Sequence, residues 1–138
     1  MKRFLKIVGI VAFLLYGLNL GLDYAISFKL QHSADRRYIG WSKIINEQLD
    51  ADLVILGSSR AWVQYSPAIL DSILQLNSFN MGIDGSALNR QIIRYEVFDH
   101  YQAKKPKYIV LNVDYFSAHE WSYGYEREQF FPYMWNPF

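Results

Sequence analysis

Three short clusters hold the residue types that could do chemistry: Gly57-Ser58-Ser59-Arg60, Gly82-Ile83-Asp84-Gly85-Ser86 and Asn112-Val113-Asp114. A serine where a strand gives way to a helix holds its hydroxyl at the rim of the sheet. Its own backbone N–H faces the same space, a pairing suited to attack on an acyl carbonyl and to holding the resulting oxyanion. Gly57 permits the tight turn before it. Gly82 and Gly85 precede a helical pattern, so their N–H groups can also point at an oxyanion. Asn112 adds a side-chain amide, and it shares one strand face with Asp114 if the chain stays extended that far. Each cluster has a plainer reading as well. Ser58 or Ser59 caps a helix, Ser86 caps the next one, and Asn112 and Asp114 make a turn.

Several other chemistries lack their residues. The 138-residue chain has no cysteine, which excludes disulfides, thiolate metal sites and a cysteine nucleophile. Neither glycine cluster has the Gly-Lys-Ser/Thr or Gly-x-Gly-x-x-Gly spacing of a phosphate cradle, so a phosphate-binding module built on Arg60 and the Gly85 turn is the weakest reading. No cofactor is implied. The formal net charge is +1, which gives no reason to expect a nucleic-acid partner.

The elements that must position these clusters alternate. Residues 51–57 and 108–113 are nearly continuous apolar runs, as expected of strands buried on both faces of a parallel sheet, and residues 78–83 form a weaker third. A helix over 67–76 opens with Ser66 as N-cap and Pro67 at its first position. Another over 86–105 carries Leu88, Ile92, Val97 and Tyr101 at helical spacing. Lys104, Lys105 and Lys107 lie at or past its end, and Pro106 stops it. The order predicts an α/β fold with right-handed crossovers and a short parallel sheet. Ligands in such sheets collect at the carboxyl ends of the strands, where all three clusters lie.

The first 28 residues are different in kind. Met1-Lys2-Arg3-Phe4-Leu5-Lys6 is positive, and residues 7–22 carry no charge. With Lys2, Arg3 and Lys6 snorkelling, the apolar stretch is long enough for a bilayer. The positive flank predicts a cytoplasmic N-terminus and a single-pass signal anchor in the cytoplasmic (inner) membrane, with the lipid bilayer as partner. A cleaved signal peptide is the rival reading, but the run continues through Leu20-Gly21-Leu22-Asp23-Tyr24-Ala25-Ile26-Ser27 as a helical pattern, which favours an uncleaved anchor. Residues 29–50 then predict an amphipathic connecting helix, with Tyr38, Trp41, Ile44, Ile45 and Leu49 on one face. Three of the fourteen basic residues and one of the thirteen acidic ones precede residue 29. Eleven and twelve remain, so the rest is not a polybasic lipid-binding surface. The α/β segment occupies residues 51–138, outside the cytoplasm.

Taken together, the strand-end clusters over residues 50–116 resemble the SGNH (GDSL-type) hydrolase superfamily. Val54-Ile55-Leu56-Gly57-Ser58-Ser59 is similar to that family's Gly-Asp-Ser block, with Ser58 where the family has aspartate, which makes Ser59 the nucleophile. The second cluster resembles the oxyanion-glycine block, with Gly85 the matching glycine. Leu111-Asn112-Val113-Asp114 is similar to the Gly-x-Asn-Asp block, with the asparagine displaced by one position. The resemblance implies a flavodoxin-like three-layer α/β/α domain. With the Gly-Ser-Ser variant behind an anchor, it is nearest the membrane-bound branch that helps acylate cell-wall polymers and exopolysaccharides. It therefore implies a serine esterase or O-acyltransferase acting on cell-surface glycan, partnered by a membrane-bound O-acyltransferase. Ser59 would be the nucleophile, Gly85 and Asn112 oxyanion donors, and Arg60 the substrate-binding candidate.

The family's late Asp-x-x-His block has no counterpart here. His32, His100 and His119 are the three histidines, and none has an aspartate three residues before it. The chain is therefore expected to be inactive as it stands, and to be the nucleophile part of a longer domain. The alternative is a non-catalytic, membrane-tethered partner or pseudoenzyme in envelope polysaccharide biosynthesis or export. The aromatic stretch from Tyr115 to Phe138 is expected to pack against protein, with a carbohydrate platform as the second reading.

Overall fold

The structure is a computed structural model that describes residues 1–46, 49–117 and 127–136. Helix α1 (Lys2–Gln31) is followed by α2 (Arg36–Asn46), β1 (Leu53–Leu56), α3 (Ser59–Gln64), α4 (Pro67–Leu74), β2 (Ser78–Asn80), α5 (Leu88–Tyr101), β3 (Tyr108–Leu111) and a 3-10 helix, Arg127–Tyr133. The protein is mixed α/β, with one long apolar N-terminal helix and a short parallel sheet ordered β2-β1-β3.

At about 1.5 Å per residue the thirty residues of α1 extend roughly 45 Å, more than a hydrocarbon core needs. None of them is buried against the rest of the chain. Its far end is held from outside. The Gln31 amide donates to the Pro132 carbonyl at 2.5 Å, the Ser42 hydroxyl donates to the Gln31 carbonyl at 2.5 Å, and the Trp135 indole donates to Asp23 at 2.9 Å. The 3-10 helix thus ties α1 to α2. Part of the aromatic stretch is spent here, since Phe130 lies 5.1 Å from the Trp41 ring and Tyr133 is buried in the core, while Tyr115 stays 92% exposed.

Strand β1 is the centre of the molecule. Its alternate residues face opposite layers. Val54 and Leu56 join Trp41, Ile44, Val97 and Phe98 from α2 and α5, while Leu53 and Ile55 pack with Ala61, Tyr65 and Leu70 from α3 and α4. Helices therefore cover both faces of this strand. The ladder Leu53–Ser78 and Leu53–Tyr108 fixes both neighbours in register.

Several expectations change, and the connecting helix expected over residues 29–50 is divided, since α1 runs on to Gln31 and α2 spans Arg36–Asn46. The strand at 108–111 is not buried on both faces: Tyr108, Ile109 and Leu111 are about half exposed, because among the described residues no helix packs over β3 as α4 packs over β2. The crossover after β1 is two helices rather than one, because Pro67 forces Ser66 out of helical geometry and breaks α3 from α4. Ser66 does stand at the N-cap of α4, with Pro67 at the first position. Helix α5 begins at Leu88 with Ala87 as its cap, so Ser86 is buried beside the helix without capping it. It also ends at Tyr101, and the lysines beyond it bind carboxylates: Lys104 pairs with Asp50 and Asp52, Lys107 with Asp52 and Lys105 with Asp99. The buried face of α5 is Gln91, Arg94, Val97 and Phe98, which leaves Ile92 half exposed.

Candidate functional site

The sheet ladder runs past the formal strand ends and draws the three clusters together. Met81 N–H donates to the Ile55 carbonyl at 2.8 Å, Ile83 N–H to Gly57 at 3.1 Å, and Asn112 N–H to Leu56 at 2.8 Å. Gly57 is the point of closest approach. A Cβ there would lie 2.4 Å from the Ala61 Cβ and 2.9 Å from the Asn112 Cβ, at a φ of 158°. Only hydrogen fits between α3 and the end of β3. Gly82 has a similar task, since a Cβ there would meet the Trp62 backbone nitrogen at 2.5 Å. It packs the second loop onto α3. Gly85 lies in an exposed turn with φ 60°, the left-handed region that glycine enters without strain.

Ser58 is fully buried and is the N-cap of α3, accepting from Arg60 N–H at 3.3 Å. Its hydroxyl donates to the Asp114 carboxylate. The other Asp114 oxygen meets the Arg60 guanidinium at 2.9 Å, and the Asp114 side chain is only 2% exposed. Asp114 N–H donates to the Ser117 hydroxyl at 2.9 Å, Ser117 N–H returns to the Asp114 carbonyl at 2.9 Å, and Leu88 N–H donates to the Ser117 carbonyl at 3.0 Å. The same turn thereby satisfies one of the free N–H groups at the start of α5.

Ser59 is the first residue of α3 and is half buried. Among the described residues its hydroxyl bonds to no side chain. Asn112 lies against Gly57 and turns its amide toward the Tyr65 hydroxyl at 3.5 Å, while its Oδ1 is buried with no hydrogen-bond partner. Burial, exposure and burial again from Val110 to Asp114 match an extended chain that keeps Asn112 and Asp114 on one face. Arg60 has one edge committed to Asp114 and is otherwise half exposed, 6.0 Å from the Phe116 ring.

The structure therefore gathers Ser58, Arg60 and Asp114 into one bonded unit and sets Asn112 beside it, with Gly85 in the neighbouring loop. His32 caps α1, its Nδ1 2.8 Å from the Phe28 carbonyl, and His100 is exposed on α5 beside Tyr101. His119 lies outside the described residues. The sequence reading missed two members of the site. Asn80 donates to the Ala61 and Tyr65 carbonyls at 2.9 Å each and accepts from Gly82 N–H at 2.8 Å, so one amide closes α3 and shapes the second loop. Tyr65 is the partner of Asn112. Among the described residues no group of three or more His, Asp or Glu assembles into a metal-binding cluster.

No family model matches the chain, and neither a curated protein nor a solved structure matches it.

Proposed function

We propose that the chain carries the nucleophile side of an SGNH-like serine acyl-transfer site, anchored in the cytoplasmic membrane and acting as esterase or O-acyltransferase on cell-surface polysaccharide. The observation that supports this reading is the convergence of three parallel strand ends on Gly57-Ser58-Ser59-Arg60, with Asn112 and Asp114 brought to the same rim. Helix α1 supplies the single-pass anchor, N-terminus in the cytoplasm. A membrane-bound O-acyltransferase is the partner in this reading, and the glycan the acceptor.

In this mechanism the Ser59 oxygen attacks the acyl carbonyl and its proton passes to a base. The N–H groups of Ser59 and Gly85, with the Asn112 amide, hold the oxyanion. Collapse of that intermediate expels the donor alcohol and leaves the acyl group on Ser59, to be taken by a glycan hydroxyl or by water. Ser58, Asp114 and Arg60 position the turn that carries Ser59.

The absence of a base beside the Ser59 hydroxyl among the described residues favours a second reading: a tethered, non-catalytic partner in envelope polysaccharide biosynthesis or export that keeps this fold. Imidazole separates the two. If Ser59 lacks only its base, imidazole added to the full chain in nanodiscs accelerates p-nitrophenyl acetate cleavage beyond the rate of the Ser59→Ala chain. Equal rates for the two chains favour the non-catalytic partner.

A further inference from the structure

Arg94 stands on the buried face of α5 and is 5% exposed. Its guanidinium lies 4.3 Å from the centre of the Trp41 ring and crowds Gly40, where a Cβ would sit 2.4 Å from Nη2. Gly40 is thus the residue that lets an arginine enter between α2 and α5. Nε and Nη1 have no hydrogen-bond partner, and no carboxylate among the described residues pairs with the group. A buried cation without a counter-charge is among the costlier arrangements in a protein interior. Desolvation pushes this guanidinium down to about 10, well below the usual arginine value.

The group borders a cavity. A space of about 220 Å³ opens beside Arg94, lined by Trp41, Ile83, Asp84, Arg90, Ile93, Gln129 and Phe130. A second space of about 370 Å³ shares Trp41, Ile93 and Phe130 and continues toward Val97 and Met134. The two form a groove between α2, α5 and the 3-10 helix, largely apolar, with one buried cation in its wall that no carboxylate among the described residues pairs.

We propose that this groove binds an organic oxyanion, a carboxylate or phosphate head carried on an apolar body. The head offsets the Arg94 charge at short range, and a planar guanidinium suits either group. The body packs on Trp41, Ile93 and Phe130. Arg90 and Asp84 both line the cavity, so together they add no net charge to its wall. Neither Ser59 nor any other residue of the acyl-transfer proposal is needed, so this site stands or falls separately.

The test uses the full chain in nanodiscs of uncharged lipid. Binding of 4-phenylbutyrate, of phenyl phosphate and of the neutral isostere 4-phenylbutanol is followed by calorimetry. The expected result is saturable binding of at least one anion, ten-fold or more tighter than the alcohol, with that preference gone in Arg94→Gln. The tighter anion identifies the head group. Ile93→Trp, which fills the groove and leaves Arg94 in place, is expected to abolish binding, and it serves if Arg94→Gln does not fold. Equal affinity for the anions and the alcohol, or anion binding that survives both substitutions, overturns the proposal.

Discussion

The Ser58 hydroxyl donates to the Asp114 carboxylate across 56 residues of sequence, and that bond locks the end of β1 to the end of β3. Arg60 closes the unit from the solvent side. Removing Arg60 leaves a nearly buried carboxylate held by one hydroxyl. Arg60→Ala is expected to cost about 2 kcal/mol, below the range for a fully buried pair because Arg60 is itself half exposed. Asp114→Asn keeps the shape and costs about 1 kcal/mol. The double variant is expected to lose less than the two singles together, since neither group then lacks its partner. Urea midpoints read from tryptophan fluorescence in micelles check this, and additive losses contradict it.

Gly57→Ala is expected to destabilise by about 3 kcal/mol or more, since the new methyl meets both the Ala61 and Asn112 Cβ atoms. Ala61→Gly in the same chain relieves the closer of the two overlaps and restores part of the loss. The melting temperatures of the three chains check the order.

Asp52 contributes to the acid limb of stability. Its carboxyl is held down to about 2, chiefly by Lys107, then by Lys104 and by the Asn77 N–H. A depressed folded value means the stabilisation is complete above the ordinary carboxyl value near 3.8 and is lost as pH falls from there through about 2. Asp52→Asn is expected to flatten stability against pH across that window and to leave the region above pH 5 unchanged in slope. A pH series of thermal midpoints reads it.

Arg94→Met gives the fourth prediction. It removes, at similar volume, a buried charge that no carboxylate among the described residues pairs, so the ligand-free chain is expected to gain about 1–2 kcal/mol. A marked loss in urea stability would mean that the Trp41 stacking outweighs the desolvation of the cation.

The sequence exposed the elements whose signals are local. Leu53-Val54-Ile55-Leu56 is continuously apolar because both faces of β1 are covered, and Pro67 marks the start of α4 by its chemistry alone. Tyr108-Ile109-Val110-Leu111 has the same composition, yet it is an outer strand, and nothing within four residues distinguishes the two positions. Ser59–Gln64 escaped as a separate helix because six residues show less than two turns of periodicity. The rim residues were visible as clusters, but their partners were not. The Ser58–Asp114 and Asn112–Tyr65 contacts depend on the register of β1 against β3. Arg94 reads as a surface residue in sequence, and only the packing of Gly40 against it explains its burial.

The central proposal is that Ser59 is an acyl-accepting serine that lacks only its base, and covalent capture tests it most directly. The full chain in nanodiscs is treated with a fluorophosphonate, with and without imidazole, and the adduct is mapped by peptide mass. The account predicts a single adduct on Ser59, faster with imidazole, lost in Ser59→Ala and absent from Ser58. No adduct at Ser59 under either condition, or an adduct on Ser58 in its place, would contradict it.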